Sequence, residues 1–408
     1  MKTKTYLSLS FMMFLEFFIW GIWFVPLGTY LTTIGFQGDE VGRAFSTLAW
    51  GSILAAFFVS LIADKYFAAQ KLNGVLHLVG GALMLWVSQI TEPTLFFWVL
   101  LAYNICYMPT VALATTIALR HTPNAGKQFP RIRVLGTIGW IVGGLLISTL
   151  DLENGHMPMV LAAAASFMLG LYSFVLPSTP PEKKDEKVKF KDIIGLDALQ
   201  LMKDRSFAVL ILGTLFISIP FAMYFPYANM VMNESGIDGV AGLLSMGQMS
   251  EVIFMLLMPL IFVRLGIKRM LLMGMFAWVA RFVLFAFGNN EALVWFFYLG
   301  IILHGICYDF FYVTAQIYVD KKAPLQFKAS LQGLLTFMTY GVGWLIGTNL
   351  SGWELQRSQI LEGDQVVGHD WMSVLLLPAG IALVVAILFI IFFKDEKEKV
   401  EADIETII

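Results

Sequence analysis

Apolar windows of about twenty residues, the length a helix needs to cross the hydrocarbon core of a bilayer, recur along the whole of this 408-residue chain. They fall at roughly 6–33, 42–63, 72–90, 94–118, 130–150 and 157–177, and again at roughly 207–232, 239–263, 269–287, 292–318, 328–351 and 371–393. With 58% apolar and 14% charged residues and a mean hydropathy of +0.75, the chain lies outside the range of soluble globular proteins. The expectation is an all-α membrane protein of twelve transmembrane helices in two six-helix bundles. The bundles would cover residues 1–177 and 207–394, with a charged cytoplasmic linker at 178–206 and a cytoplasmic tail at 395–408.

Loop charges test this layout, because Lys and Arg accumulate on the cytoplasmic face. With the N-terminus inside, Lys2, Lys4, Lys65, Lys71, Arg120, Lys127, Arg131, the basic residues of the linker, Arg264, Lys268, Arg269, Lys321, Lys322, Lys328 and the basic tail all fall on one side. Only Arg43 and Arg357 fall on the other. A miscounted span would reverse everything after it and destroy this asymmetry. The leading Met1-Lys-Thr-Lys resembles a signal-peptide start, but the apolar run after it is too long and carries Glu16, so it reads as an uncleaved first span.

A net charge of −2 offers no basic field for nucleic acid. Cys106 and Cys307 both sit inside spans, where they pack as small apolar groups rather than form a disulfide or a metal site. No Gly-x-Ser-x-Gly, His-Glu-x-x-His, phosphate loop or Cys-x-x-Cys pair is present, so neither an enzyme nor a cofactor is expected. Without a nucleotide-binding loop, active transport would have to draw on an ion gradient.

The informative residues are the charges inside the apolar windows. An ionised carboxylate at the centre of a span costs about 2.5–3.5 kcal/mol on insertion scales, and such residues default to substrate or proton paths. Asp309, Glu251 and Glu16 are the candidate proton-coupling carboxylates. In span 10, His304 and Tyr308 are four residues apart on one helix face, and Asp309 and Tyr312 share an adjacent one. In span 8, Gln248 and Glu251 project from one side, an amide and a carboxylate suited to hydroxyl or amide edges. Span 5 aligns Arg133, Thr137 and Trp140; an Arg there needs a carboxylate or an acceptor-rich ligand, and Glu16, Glu251 and Asp309 are the carboxylates at hand. Span 1 aligns Glu16, Trp20 and Trp23, with Trp20 the better stacking face for a ligand. His77 and Arg281, each alone in its span, read as structural.

Repetition between the halves is weak: Ile105-Cys-Tyr107 matches Ile306-Cys-Tyr308, and the glycine-rich stretches 139–144 and 341–347 are alike. The loop Ser60-Leu-Ile-Ala-Asp-Lys65 resembles the Gly-x-x-x-Asp-(Arg/Lys) signature of the major facilitator superfamily, with serine replacing the first glycine. Longer stretches are similar to the nucleoside:proton symporters of that superfamily, the bacterial nucleoside permeases. They are Phe17-Phe-Ile-Trp-Gly-Ile-Trp23, Ala63-Asp-Lys65, Tyr107-Met-Pro-Thr110, Phe129-Pro-Arg-Ile-Arg-Val-Leu-Gly-Thr-Ile-Gly139, Leu196-Asp-Ala198, Gln248-Met-Ser-Glu251, Gly266-Ile-Lys268, Trp278-Val-Ala-Arg-Phe282 and Tyr308-Asp-Phe-Phe311.

The resemblance implies a central nucleoside site lined by Arg133, Thr137, Gln248, Glu251, Tyr308 and Asp309. It also implies a bacterial inner-membrane location with both termini cytoplasmic, and a single working chain whose partners are a nucleoside, a proton and the bilayer. The chain departs from the family at Glu16, where permeases carry Gln, at Ala222 and Phe225, where they carry Gln and Asn, and at His304, which replaces a Tyr. Trp20, Trp140, His304 and Phe225 complete the candidate substrate-binding set. A proton-coupled sugar or polyol symporter of the same fold, and a membrane sensor that binds without transport, are the alternatives.

Overall fold

The computed structural model describes residues 3–58, 67–122, 125–180, 201–322, 328–363 and 365–394. The signature loop at 60–65, the stretch at 196–198, most of the linker and the tail from 395 lie outside the described residues.

Each apolar window coincides with helix. α1 (Thr3–Phe24) and α2 (Leu27–Thr33) form one segment interrupted at Pro26, which has no N–H to continue the ladder. α3 (Gly38–Phe58), α4 (Ala69–Val87), α5 (Pro93–Arg120), α6 (Ala125–Thr149) and α7 (Met157–Ser173) follow. After the linker come α8 (Arg205–Glu234) and the long α9 (Val240–Phe287). Gly266 divides α9: its φ of 70° and ψ of 175° lie in a region that side chains disfavour, so two windows become two helical stretches joined without a loop.

α10 (Val294–Tyr308) passes through a π-helical turn at Asp309–Val313 into α11 (Thr314–Lys322). α12 (Lys328–Thr336) likewise passes through a π-helical turn at Phe337–Gly343 into α13 (Trp344–Arg357). α14 (Trp371–Phe392) closes the described chain. Polar caps set several starts outside the apolar windows: Glu92 accepts the Thr94 and Leu95 N–H groups, and Asp204 accepts that of Phe207. Eight described segments are long and apolar enough to cross a membrane. Large apolar side chains point outward from them, Leu256 75% and Leu260 68% exposed, as lipid contact requires and water would penalise.

One feature departs from an all-helical chain. β1 (Gln359–Glu362) and β2 (Gln365–His369) form an antiparallel hairpin. Glu234, the last residue of α8, holds it by accepting from His369 N–H at 3.1 Å and Trp371 Nε1 at 2.7 Å. The strands are short and their apolar residues come in adjacent pairs, Ile360-Leu361 and Val366-Val367, so there was no apolar alternation from which strands could be read.

α1 packs on α6 and α7, and α4 on α5 and α7; in the second half α9 packs on α10 and α14, and α8 on α13 and α14. The halves meet where α3 lies on α13, α6 on α9 and α2 on α8. The α3–α13 crossing is close enough that a Cβ on Gly42 would stand 2.6 Å from the Gly352 Cα. Next to the α2–α8 contact, Glu153, in the α6–α7 connection, is almost completely buried. One of its oxygens accepts from Asn229 Nδ2 at 3.1 Å and Asn233 Nδ2 at 3.3 Å, and the other from the N–H of Ala241 at 2.8 Å, in the first turn of α9. Thr29 of α2 donates to Asn229.

Candidate functional site

Three groups of side chains occupy the middle of the helices. The first surrounds Glu16 of α1, which is fully buried. Its Oε1 accepts from Thr110 at 2.7 Å, its Oε2 lies 3.0 Å from His77 Nε2, and its backbone carbonyl accepts from Tyr107 at 2.5 Å. Thr110 and Tyr107 flank Pro109 in α5, and His77 comes from α4, so one carboxylate joins three helices. Both oxygens have donors, the condition under which a buried carboxylate is tolerated.

The second group is aromatic. Trp20, one turn beyond Glu16, lies 5.6 Å edge-to-face from Trp140 of α6 and 6.1 Å from Tyr107. The α1–α6 contact depends on glycine: a Cβ on Gly139 would collide with the Phe14 carbonyl. Arg133, one turn from Thr137 on α6, places its guanidinium 3.9 Å from the centre of the Phe17 ring. Among the described residues no carboxylate forms an ion pair with Arg133; Glu16 is bound by Thr110 and His77, while Glu251 is near enough to feel the Arg133 charge. Arg133 and Thr137 are both half-buried. From Trp20 the rings continue through Phe24 to Phe225 of α8 at 5.2 Å, and from Phe225 to Trp344 of α13 at 5.0 Å. Phe225 therefore closes the aromatic surface across the two halves, where an amide would have offered hydrogen bonds.

The third group belongs to α9 and α10. The Gln248 amide stands 3.0 Å from His304 Nε2, and Glu251 Oε2 is 3.8 Å from the same nitrogen. Arg281 Nη1 donates to His304 Nδ1 at 2.8 Å. One turn on, the Tyr308 and Tyr340 hydroxyls are 3.2 Å apart, and Tyr312 pairs with Ser218 at 3.2 Å. α10 approaches α9 at Gly305, whose N–H donates to Ser250 Oγ at 3.0 Å.

Asp309 opens the π-helical turn and is fully buried, and among the described residues neither carboxylate oxygen has a hydrogen-bond partner. The turn inserts a residue into the helix. His304 and Tyr308 both precede it on regular α-helix, where His304 meets Gln248 of α9 and Tyr308 meets Tyr340.

The structure brings together Trp20 with Trp140, Phe225 with this aromatic wall, and Gln248, Glu251 and His304 with one another. It leaves Glu16 with His77 and Thr110, and Asp309 with no partner. His77 and Arg281, read from sequence as structural, each contact a candidate site residue. A single polar residue in an apolar span was their only signal, and pairing between spans is not encoded in spacing along either one.

The family described as Nucleoside H+ symporter matches residues 1–398. The chain is 39% identical to the putative nucleoside transporter YegT of Escherichia coli K12, across 98% of this chain and 96% of that one. It is 32% identical to the xanthosine permease of the same organism, across 97% and 98%. The crystal structure of the nucleoside transporter NupG superposes with a TM-score of 0.86 at 29% identity, covering 96% of this chain and 100% of that chain.

Proposed function

The chain belongs to the nucleoside H+ symporter family, and on that premise we propose how it performs proton-coupled nucleoside uptake. Twelve spans form two six-helix bundles, residues 1–177 and 207–394, that rock about a midplane site. The linker at 178–206, the tail at 395–408 and both termini face the cytoplasm of a bacterium, since Lys and Arg crowd that side. One chain holds the whole path, so a monomer suffices. Its work is transport and not catalysis.

The single observation that carries the coupling is Asp309, a fully buried carboxylate with no partner on either oxygen among the described residues. A buried anion in that state is strongly disfavoured. Asp309 is therefore the proton carrier, with Glu251 the carboxylate beside the substrate groups. Glu16, saturated by donors, holds the first half together. Trp20, Trp140, Phe225 and Tyr308 offer stacking faces to the base, while Arg133, Thr137 and Gln248 offer hydrogen bonds, with His304 behind Gln248.

The test is uptake of labelled uridine and adenosine into vesicles containing the protein, with and without an inward proton gradient. Accumulation that depends on the gradient is expected. If folded, inserted protein accumulates neither, nucleosides are not its substrates.

A further inference from the structure

Arg281 is fully buried, and among the described residues no carboxylate pairs with it. Aromatic faces surround it instead: its guanidinium lies 3.6 Å from the centre of the Tyr224 ring and 5.4 Å from that of Trp278. A cation held in this way inside a span calls for a role, and its directional contact is with His304 Nδ1, at 2.8 Å.

A guanidinium has only donors to give. Nδ1 must therefore offer its lone pair, and in a neutral imidazole the hydrogen then sits on Nε2. Nε2–H faces the Gln248 amide at 3.0 Å. An amide NH2 there would set two donors against each other; the amide oxygen and nitrogen are interchangeable in position, so Oε1 takes the place next to His304. The Gln248 NH2 is then turned away from His304 on a side chain that is only half-buried.

We propose that Arg281 is a positioning residue that orients a one-way donor chain, Arg281 to His304 to Gln248, so that Gln248 presents a donor to the substrate and the site selects oxo-bases over amino-bases. This rests on the nucleoside reading above. Uracil and hypoxanthine place a carbonyl acceptor where cytosine and adenine place an NH2 donor, and a donor fixed in the site meets only the first kind.

Two readouts test it. The first needs no transport: nitrogen NMR of 15N-histidine-labelled protein, with the His304 signal assigned by its loss in His304→Gln. Wild type should show the Nε2–H tautomer at His304. Arg281→Met should release it, and Arg281→Lys, which still donates, should keep it. An Nδ1–H tautomer in wild type, or an unchanged tautomer in folded Arg281→Met, overturns the proposal.

The second is competition between inosine and adenosine, and between uridine and cytidine, for uptake. Wild type should prefer the oxo-base by about tenfold, the ratio set by one ordinary hydrogen bond, and Arg281→Met should flatten the ratio while Arg281→Lys preserves it. Uptake with no oxo preference overturns the selectivity. Uptake of no nucleoside, with the expected tautomer present, overturns the substrate reading and leaves the positioning role of Arg281 standing.

Discussion

Glu16 and Asp309 are both wholly buried in apolar helices, one in each half of the chain, and their surroundings differ in kind. Glu16 has Thr110 at 2.7 Å on one oxygen and His77 at 3.0 Å on the other. Asp309 has nothing on either. The same functional group is thus a fixed joint in one half and an unmet demand in the other. What distinguishes them is the neighbouring helix: α4 and α5 bring a histidine and a threonine to Glu16, whereas among the described residues no helix brings a donor to the Asp309 carboxylate. Burial alone does not mark a carboxylate as a proton carrier; the proposed role of Asp309 rests on burial without donors.

The comparison can be broken most severely at Asp309. Asp309→Asn removes the titrating group while keeping its size, and gradient-driven uptake should fall to the level seen without a gradient. Full accumulation by that variant, measured in the same vesicles, would end the distinction drawn here. Next in size, Glu16→Ala should strip His77 and Thr110 of their shared acceptor. Each buried polar group left unpaired costs about 1–3 kcal/mol, so a clear drop in melting temperature is expected in thermal unfolding of the purified protein.

Glu16→Gln sharpens the contrast. An amide can accept from Thr110 and pair with His77, so uptake should stay within about threefold of wild type, the effect of a hydrogen bond weakened by less than 1 kcal/mol. Loss of proton coupling in that variant would move Glu16 into the proton path.

The smallest effect belongs to a carboxylate in water, Glu92. The N–H groups of Leu95 and Thr94 that it caps hold its carboxyl below the ordinary 4.5. A depressed folded value means that the stabilisation is present above the unfolded value and is lost as pH falls through the folded one. Glu92→Gln should therefore lower the melting temperature slightly at neutral pH, and the difference from wild type should vanish as pH falls below about 4.5.

Much of the architecture was legible because membrane helices announce themselves by length and apolarity. Each apolar window holds helix, and the mid-span residues Glu16, Arg133, Gln248, Glu251 and Asp309 stood out because charge and amide are costly there. The joint at Gly266 was not legible, since a loop and a sharp bend look alike when both carry a glycine between basic residues. The π-helical turns at Asp309–Val313 and Phe337–Gly343 were hidden for a related reason: they alter registry without altering composition. The His77–Glu16 and Arg281–His304 contacts join residues 61 and 23 positions apart. Helical periodicity reports which residues share a face, and it is silent on which face another helix will meet.

The Glu153 carboxylate is a single knot tied from four threads. It binds Asn229, Asn233 and the first turn of α9 at once, and Asn229 also receives Thr29. Parting these helices would expose the carboxylate, two amides and a helix start to water, because all of them meet at one side chain. The seam is closed at a point, as a lock gate is closed by a single latch.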